Sequence, residues 1–401
     1  AVFFASTALV VRADGQTLHR PYDGGVDLVV SKNPDSKMVR QTRRYFRYQS
    51  GKGIQVSFAV NFSPSTQIQL FSRTAAVGTI TTRVAHRLSV GLQVVITDAT
   101  NISDSSIWNA SMEVLSIVDD YTFTVQLSGT PADGTAQGLV QYYVEGWSGS
   151  SLACGLFDDQ NGLFFEYDGS TLYACRRSST AQISGTVAVE FRSGSVSGTS
   201  TRFLSQLLVG DNIVIRGQTY RITKIDGDEL LYIAPSFMGV TSDGVIVSKI
   251  ITTRVAQADW SIDPCDGTGE SGFNLNLARI QMAYMDYSWY GAGKVRFGFK
   301  NQNGDVIYCH SFVHGNYERE AYMRSGNLPA RYEINNTGQP SYVPALAHWG
   351  TSVIMDGGFD PDEAYLFNAS SNNLSLSGSA TLTVSARVET LLPYTQRINN
   401  R

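Results

Sequence analysis

LLVGDNIVIRGQT, residues 207–219, runs directly into YRITKIDGDELLYIAP, residues 220–235, and together they read as short strands joined by turns. Apolar and β-branched side chains alternate with polar ones, and Gly-Asp and Asp-Gly pairs interrupt the alternation where a hairpin needs a turn. The same build occurs earlier, as LSVGLQVVITDAT (88–100) followed by MEVLSIVDDYTFTVQL (112–127). Leu-x-Val-Gly opens both stretches, an alternating strand follows, and an acidic turn separates the next two strands. Each reads as a copy of one small module of roughly 70 residues, near the lower limit for independent folding.

Outward from these modules the strand signal continues. IQVSFAVNF (54–62), KVRFGFKN (294–301), DVIYCHSF (305–312) and ATLTVSARVET (380–390) all alternate, whereas helical periodicity is confined to stretches such as DPDEAYLFNA (360–369). The fold class expected is therefore mainly β. Residues 1–75, 147–182 and 257–401 share longer, more aromatic strands and read as one central, jelly-roll-like β-sandwich. Two small β-barrel or sandwich modules, 76–146 and 183–256, interrupt it, an arrangement tolerated wherever turn ends lie close together at a surface. The string TTRVA recurs at 81–85 and 252–256, near an insertion junction each time.

Composition narrows the function. The 401 residues carry 31 Lys+Arg against 35 Asp+Glu, a formal net charge of -4, so the overall field favours neither nucleic acid nor an anionic membrane. Charged residues are 16% of the chain, which points to surface covered by neighbouring subunits rather than by water alone. Cys154, Cys175, Cys265 and Cys309 lack CxxC spacing and read as buried free thiols rather than a zinc or redox motif. No apolar run approaches the roughly 20 residues that span a bilayer, and no secretory signal pattern is read. The chain opens AVFFASTALVV, without Met, as a processed product or the ordered part of something longer would.

Three motifs invite chemistry and each has a plainer reading. His310 and His314 in CHSFVH continue a strand and lack a third ligand at recognisable spacing. Asp158, Asp159, Glu166 and Asp168 in FDDQNGLFFEYDG (157–169) could form a glycosidase pair or a calcium loop, but turns at Asn161-Gly162 and Asp168-Gly169 explain the same residues. DGTGESG (266–272) has no following Lys-Ser/Thr or helix and reads as a loop, not a phosphate cradle. No catalytic residue, metal ligand or cofactor is expected. RRYFRYQSGKGIQ (43–55) is different, because Arg43, Arg44 and Arg47 interleave with Tyr45, Phe46 and Tyr48. Such a run suits a single-stranded nucleic-acid platform, a protein interface or intramolecular arginine pairing, and the acidic balance of the chain favours the latter two over nucleic acid.

RRYFRYQSGKGIQ, GLFDDQNGLFFEYDGSTLYACRRSS (155–179), FNLNLARIQMAYMDYSWYGAGKVRFGFKNQNGDVIYCHSF (273–312) and EAYMRSGNLPARYEI (320–334) resemble segments of virion structural proteins of tailed bacteriophages. The similarity is strongest to those of marine T4-like cyanophages, and the Leu-x-Val-Gly modules resemble small β-domains inserted in phage structural proteins. The resemblance implies a non-enzymatic structural subunit of the tail or baseplate, assembled in the host cytoplasm into the virion as a homo-oligomer among other virion proteins. The residues expected at its assembly contacts are Arg43, Arg44, Tyr45, Arg47 and Tyr48, then Trp289, Tyr290, Tyr322 and Arg324, each of which could instead belong to the core. A glycan-binding fibre or tailspike module, and a capsid or neck protein, are the alternatives.

Overall fold

Period-two alternation becomes strand after strand in the computed structural model, which describes residues 7–100, 104–131 and 140–355. The helical turn read at 360–369 and the strand read at 380–390 lie outside the described residues, as do residues 1–6.

The sandwich begins with β1 (Thr7–Arg12), β2 (Gln16–His19), β3 (Val26–Val29), β4 (Lys37–Thr42) and β5 (Ile54–Asn61). A first barrel follows: β6 (Thr66–Thr74), β7 (Val77–Thr82), β8 (Gln93–Thr97), the short helix α1 (Ser105–Trp108), β9 (Ser111–Ile117), β10 (Thr122–Gln126) and β11 (Gln141–Glu145). The chain returns to the sandwich through β12 (Ser150–Phe157), β13 (Gly162–Tyr167) and β14 (Leu172–Gln182). The second module comprises β15 (Thr186–Val189), β16 (Ser195–Thr199), α2 (Phe203–Gln206), β17 (Asn212–Ile215), β18 (Gln218–Gly227), β19 (Leu230–Ala234), β20 (Ser242–Val245) and β21 (Val247–Ala256). β22 (Gln281–Tyr287), β23 (Val295–Lys300), β24 (Val306–Phe312), β25 (Ala330–Asn336) and β26 (Ala345–Met355) complete the sandwich. No helix among the described residues is long and apolar enough to cross a membrane.

One face of the sandwich is β1-β4-β25-β12-β13-β14, and the other is β2-β3-β26-β5-β22-β23-β24. Passing from β3 to β4 to β5, and again from β24 to β25 to β26, the chain crosses to the opposite sheet and back, which gives the jelly-roll-like winding. Inward-facing rings join the layers: Phe58 meets Tyr332 at 5.8 Å, and Phe165 meets Phe297 at 5.2 Å and Phe299 at 4.7 Å. Two sheets that each have an apolar face must bury those faces against one another, and these contacts are where they do so.

The two modules share one strand order. The first is a closed ring, β10-β7-β6-β11-β8-β9. In the second the order is β19-β16-β15-β20 at one end and β21-β17-β18-β19 at the other, and only Ile246 separates β20 from β21. A single bent strand therefore closes that ring too, with β20 and β21 together in the place of β11. β6, which precedes residue 76, is a full member of the first ring. The Leu-x-Val-Gly turn is superimposable in its bonding. Gly91 donates to the Val114 carbonyl at 2.9 Å and Gly210 to the Ile222 carbonyl at 2.8 Å; Val114 and Ile222 donate back to Leu92 and Asp211 at 2.9 and 2.8 Å. Leu88 and Leu207, Val94 and Ile213, and Phe123 and Leu231 are buried at matching positions. TTRVA is not part of this duplication, since its first occurrence ends β7 and its second lies in β21, paired with β14.

Both turn glycines have positive φ, +87° at Gly91 and +97° at Gly210, and a Cβ there would meet little: nothing within 4 Å at Gly91 and only the Arg221 guanidinium, 3.8 Å away, at Gly210. Gly91→Ala and Gly210→Ala should therefore each cost only the backbone term, about 1–2 kcal/mol. Equal shifts in denaturant midpoint for the two variants are the expected result, and a clear inequality would argue against equivalent turns.

Candidate functional site

β4 ends at Thr42, whose hydroxyl donates to the Arg44 carbonyl at 2.8 Å and turns the chain out of the sheet. The aromatic-basic stretch then runs beside residues 327–328: Phe46 N–H bonds to the Leu328 carbonyl at 2.9 Å, and Tyr48 N–H to Asn327 Oδ1 at 2.7 Å. A turn through Gly51, at φ +84°, leads into β5.

Two further segments, 287–290 and 323–328, converge on this stretch. The Tyr48 ring stacks on Tyr287 at 6.2 Å and meets Trp289 and Tyr290 edge-on at 6.0 and 6.3 Å. Trp289 Nε1–H donates to the Met323 carbonyl at 3.1 Å, and Tyr287 Oη–H to the Gly326 carbonyl at 2.8 Å. Only glycine fits at 326, because a Cβ there would lie 2.9 Å from Trp289 Cγ. Tyr287 and Trp289 thus have their polar tips satisfied by backbone, which fixes the loops, whereas the Tyr48 hydroxyl is buried without a hydrogen-bond partner among the described residues.

The sequence-selected residues divide by depth. Arg43, Arg44, Arg47 and Arg324 are exposed, and their side chains make no hydrogen bond or ion pair among the described residues. Tyr45 and Tyr290 are also exposed, at 47% and 62%. Burial of part of the Tyr45 ring, together with the Asp158 carboxylate beside it, pushes its phenol above the ordinary range. Tyr48 and Trp289 are half-buried. Tyr322 is corrected to the core: it is 2% exposed, donates to the Ser288 carbonyl at 3.0 Å, and lies flat on the His314 ring at 3.9 Å. A side chain so enclosed braces the loops from beneath and presents no surface to a neighbour. Arg324 is held at the same end by its backbone N–H, which donates to Asn161 Oδ1 at 2.9 Å.

Sequence reading missed a charged network on the outer face of the first sheet. Arg331 Nη2 lies 2.8 Å from Asp159 Oδ1 and 2.5 Å from Glu333 Oε2, while Lys37 Nζ lies 3.0 Å from Glu333 Oε1. The Arg331 guanidinium also covers the Phe157 ring at 5.1 Å. Burial alone would raise the Glu333 carboxyl, but Arg331 and Lys37 outweigh it and hold the group at about 2. Glu166 stands in register beside Ala153, which also faces Glu333. Burial raises Glu166, partly offset by Arg254 at 3.3 Å. These two carboxyls differ in their hold on a proton, yet each is engaged by its own guanidinium.

The remaining motifs serve turns and packing. Asp158 Oδ1 accepts the Gln160 and Asn161 N–H groups at 2.8 Å each, and Asp168 Oδ1 accepts those of Ser170 and Thr171 at 3.1 and 2.9 Å. Asp263 gathers the loop at 266–272 by accepting Cys265 N–H at 2.8 Å and Ser271 N–H at 3.0 Å. His310 and His314 are buried and lowered by that burial; Nδ1 of His310 accepts Ser261 N–H at 3.2 Å, and Nδ1 of His314 donates to the Gly293 carbonyl at 2.6 Å. No group of three or more His, Cys, Asp or Glu able to hold a metal occurs among the described residues. All four cysteines are free and buried, as expected from their spacing.

No protein family profile matches the chain, and no curated protein matches it. Among solved structures, a match is found to "Phage phi92 endosialidase", 11% identical, at a TM-score of 0.18 over 92% of this chain. The chain spans 62% of that protein's length. Superposition at this level carries no argument about activity.

Proposed function

We propose that this chain is a structural subunit of a tailed-phage virion, placed in the tail or baseplate, that acts through protein–protein contacts and not through catalysis. The observation that carries the reading is the end of the sandwich where Arg43, Arg44, Arg47 and Arg324 are exposed and unpaired among the described residues, around a braced cluster of Tyr48, Trp289 and Tyr290. Arginine and aromatic side chains are the anchors enriched at protein interfaces, and a rigid backing lowers the entropy cost of docking. The resemblance of the 43–55, 155–179, 273–312 and 320–334 strings to phage virion proteins supports the same reading. Homo-oligomeric assembly and contact with other virion proteins follow from it.

Light scattering on the purified chain, at low and then high salt, tests the proposal beside a variant with Arg43, Arg44 and Arg47 all changed to Ala. An oligomer whose mass falls in the triple variant, with its melting unchanged, is the expected outcome. A monomer at every concentration, or an oligomer indifferent to the three changes, would place assembly elsewhere.

A further inference from the structure

Between the first barrel and the sandwich lies a cleft of about 700 Å³. That volume is in the range of small-ligand sites, and junctions between folding units are where such sites concentrate. The barrel contributes residues 83–87, and the sandwich contributes Arg20 and Tyr22. Arg83 and Arg87 are exposed on the cleft wall, and their side chains have no ion pair or hydrogen bond among the described residues. Arg20 is occupied differently. It pairs with Asp23 at 2.9 Å and Asp27 at 3.4 Å, and its guanidinium lies 5.2 Å from the Tyr22 ring. This holds at the rim an aromatic ring that is 78% exposed.

His86 ties this wall into the barrel, its Nδ1 accepting Leu88 N–H at 3.0 Å and its Nε2 donating to the Asp119 carbonyl at 2.8 Å, whereas the Arg83 and Arg87 side chains make no such bond among the described residues. Arg87 has φ +56°, a left-handed conformation that costs backbone energy in any residue with a Cβ. The second module provides an internal comparison, because alignment on Leu88 and Leu207 sets Arg87 opposite Gln206 and His86 opposite Ser205. There the chain winds into α2, and Gln206 Oε1 is taken up by Ser184, accepting its N–H at 3.0 Å and its hydroxyl at 2.9 Å. The same strand order is thus built without the strained arginine, and the copies diverge where the first one faces the cleft.

We infer that this cleft binds an acidic oligosaccharide, with Arg83 and Arg87 receiving sugar carboxylates and the Tyr22 ring supporting a sugar face. A guanidinium fork matches a carboxylate with two parallel hydrogen bonds, and the side-chain amides of Gln67 and Gln141 on the same wall suit hydroxyl groups. The site is separate from the arginines at 43–47, so titration reads one and light scattering the other, and either can fail alone.

Calorimetric titration of the whole chain with trigalacturonate, a hyaluronan tetrasaccharide and an α2,8-linked sialic acid trimer tests the inference, with maltotriose and hexaglutamate as neutral and peptide controls. At least one acidic sugar should bind tenfold or more tighter than either control. Arg83→Ala combined with Arg87→Gln should weaken that binding at least tenfold with unchanged melting, and Arg87→Lys, which keeps the charge without the fork, should give an intermediate loss. Acidic sugars that bind no better than maltotriose, hexaglutamate binding as tightly as any of them, or wild-type affinity in both variants would overturn it.

Discussion

Glu333→Gln should destabilise the protein by about 3–5 kcal/mol at neutral pH, because it strips the charge partner from a buried guanidinium. Arg331 has a side chain only 4% exposed, and without Glu333 its remaining carboxylate is Asp159, whose side chain is 62% exposed. Lys37 loses its 3.0 Å partner in the same change. The pH dependence has a definite sign. The folded carboxyl sits at about 2 against an ordinary 4.5, so the ionised form is the one folding favours. Its contribution is full above pH 4.5 and is lost as pH falls from there through about 2. Urea melts between pH 6 and pH 2.5 should therefore show a steeper decline for the wild type than for Glu333→Gln, whose remaining decline comes from carboxylates such as Asp168 and Asp263 that are also held below their ordinary range. Replacing Arg331 and Glu333 together by Met and Leu should recover most of the loss, since the penalty comes from the stranded charge more than from the missing bond.

Phe165→Ala should cost a similar amount, about 3–5 kcal/mol, through a cavity and not through electrostatics. Phe165 is fully buried, and its ring reaches Phe297, Phe299 and Trp260 at 5.2, 4.7 and 6.1 Å. It stands on β13 in one sheet, while Phe297 and Phe299 stand on β23 in the other, so truncation opens the middle of the sandwich. Phe165→Leu should cost roughly half as much, because most of the volume remains. Guanidinium midpoints of the two variants check this, and unlike Glu333→Gln both losses should be independent of pH.

Much of this architecture was legible in the chain because strands announce themselves locally. Alternation in IQVSFAVNF or KVRFGFKN places a side chain inward or outward without reference to anything distant. The duplication was legible for a related reason: both copies need a glycine at the same left-handed turn, and Gly91 and Gly210 mark it. Ring closure was harder to read. TQIQLFSRT alternates like any sandwich strand, and only its pairing with β7 and β11 makes it part of the first barrel. Arg331 and Glu333 were missed because RYE within a strand reads as an ordinary solvated face. Its meaning comes from Lys37, distant in sequence, and from Asp159 on a hairpin turn. Tyr322, offered as an assembly contact with the core as its alternative, could not be decided from sequence because a loop tyrosine carries no periodicity; its burial depends on the His314 ring and the Ser288 carbonyl.

The central claim is that the arginine and aromatic end of the sandwich is an assembly face, and amide hydrogen exchange at rising protein concentration tests it most directly. Peptides covering 43–48, 288–293 and 324–328 should exchange more slowly as the scattering mass rises, while peptides from the two modules' Leu-x-Val-Gly turns stay unchanged. A mass that rises while those three peptides keep their exchange rates, or a chain that remains monomeric with them freely exchanging, would contradict the claim.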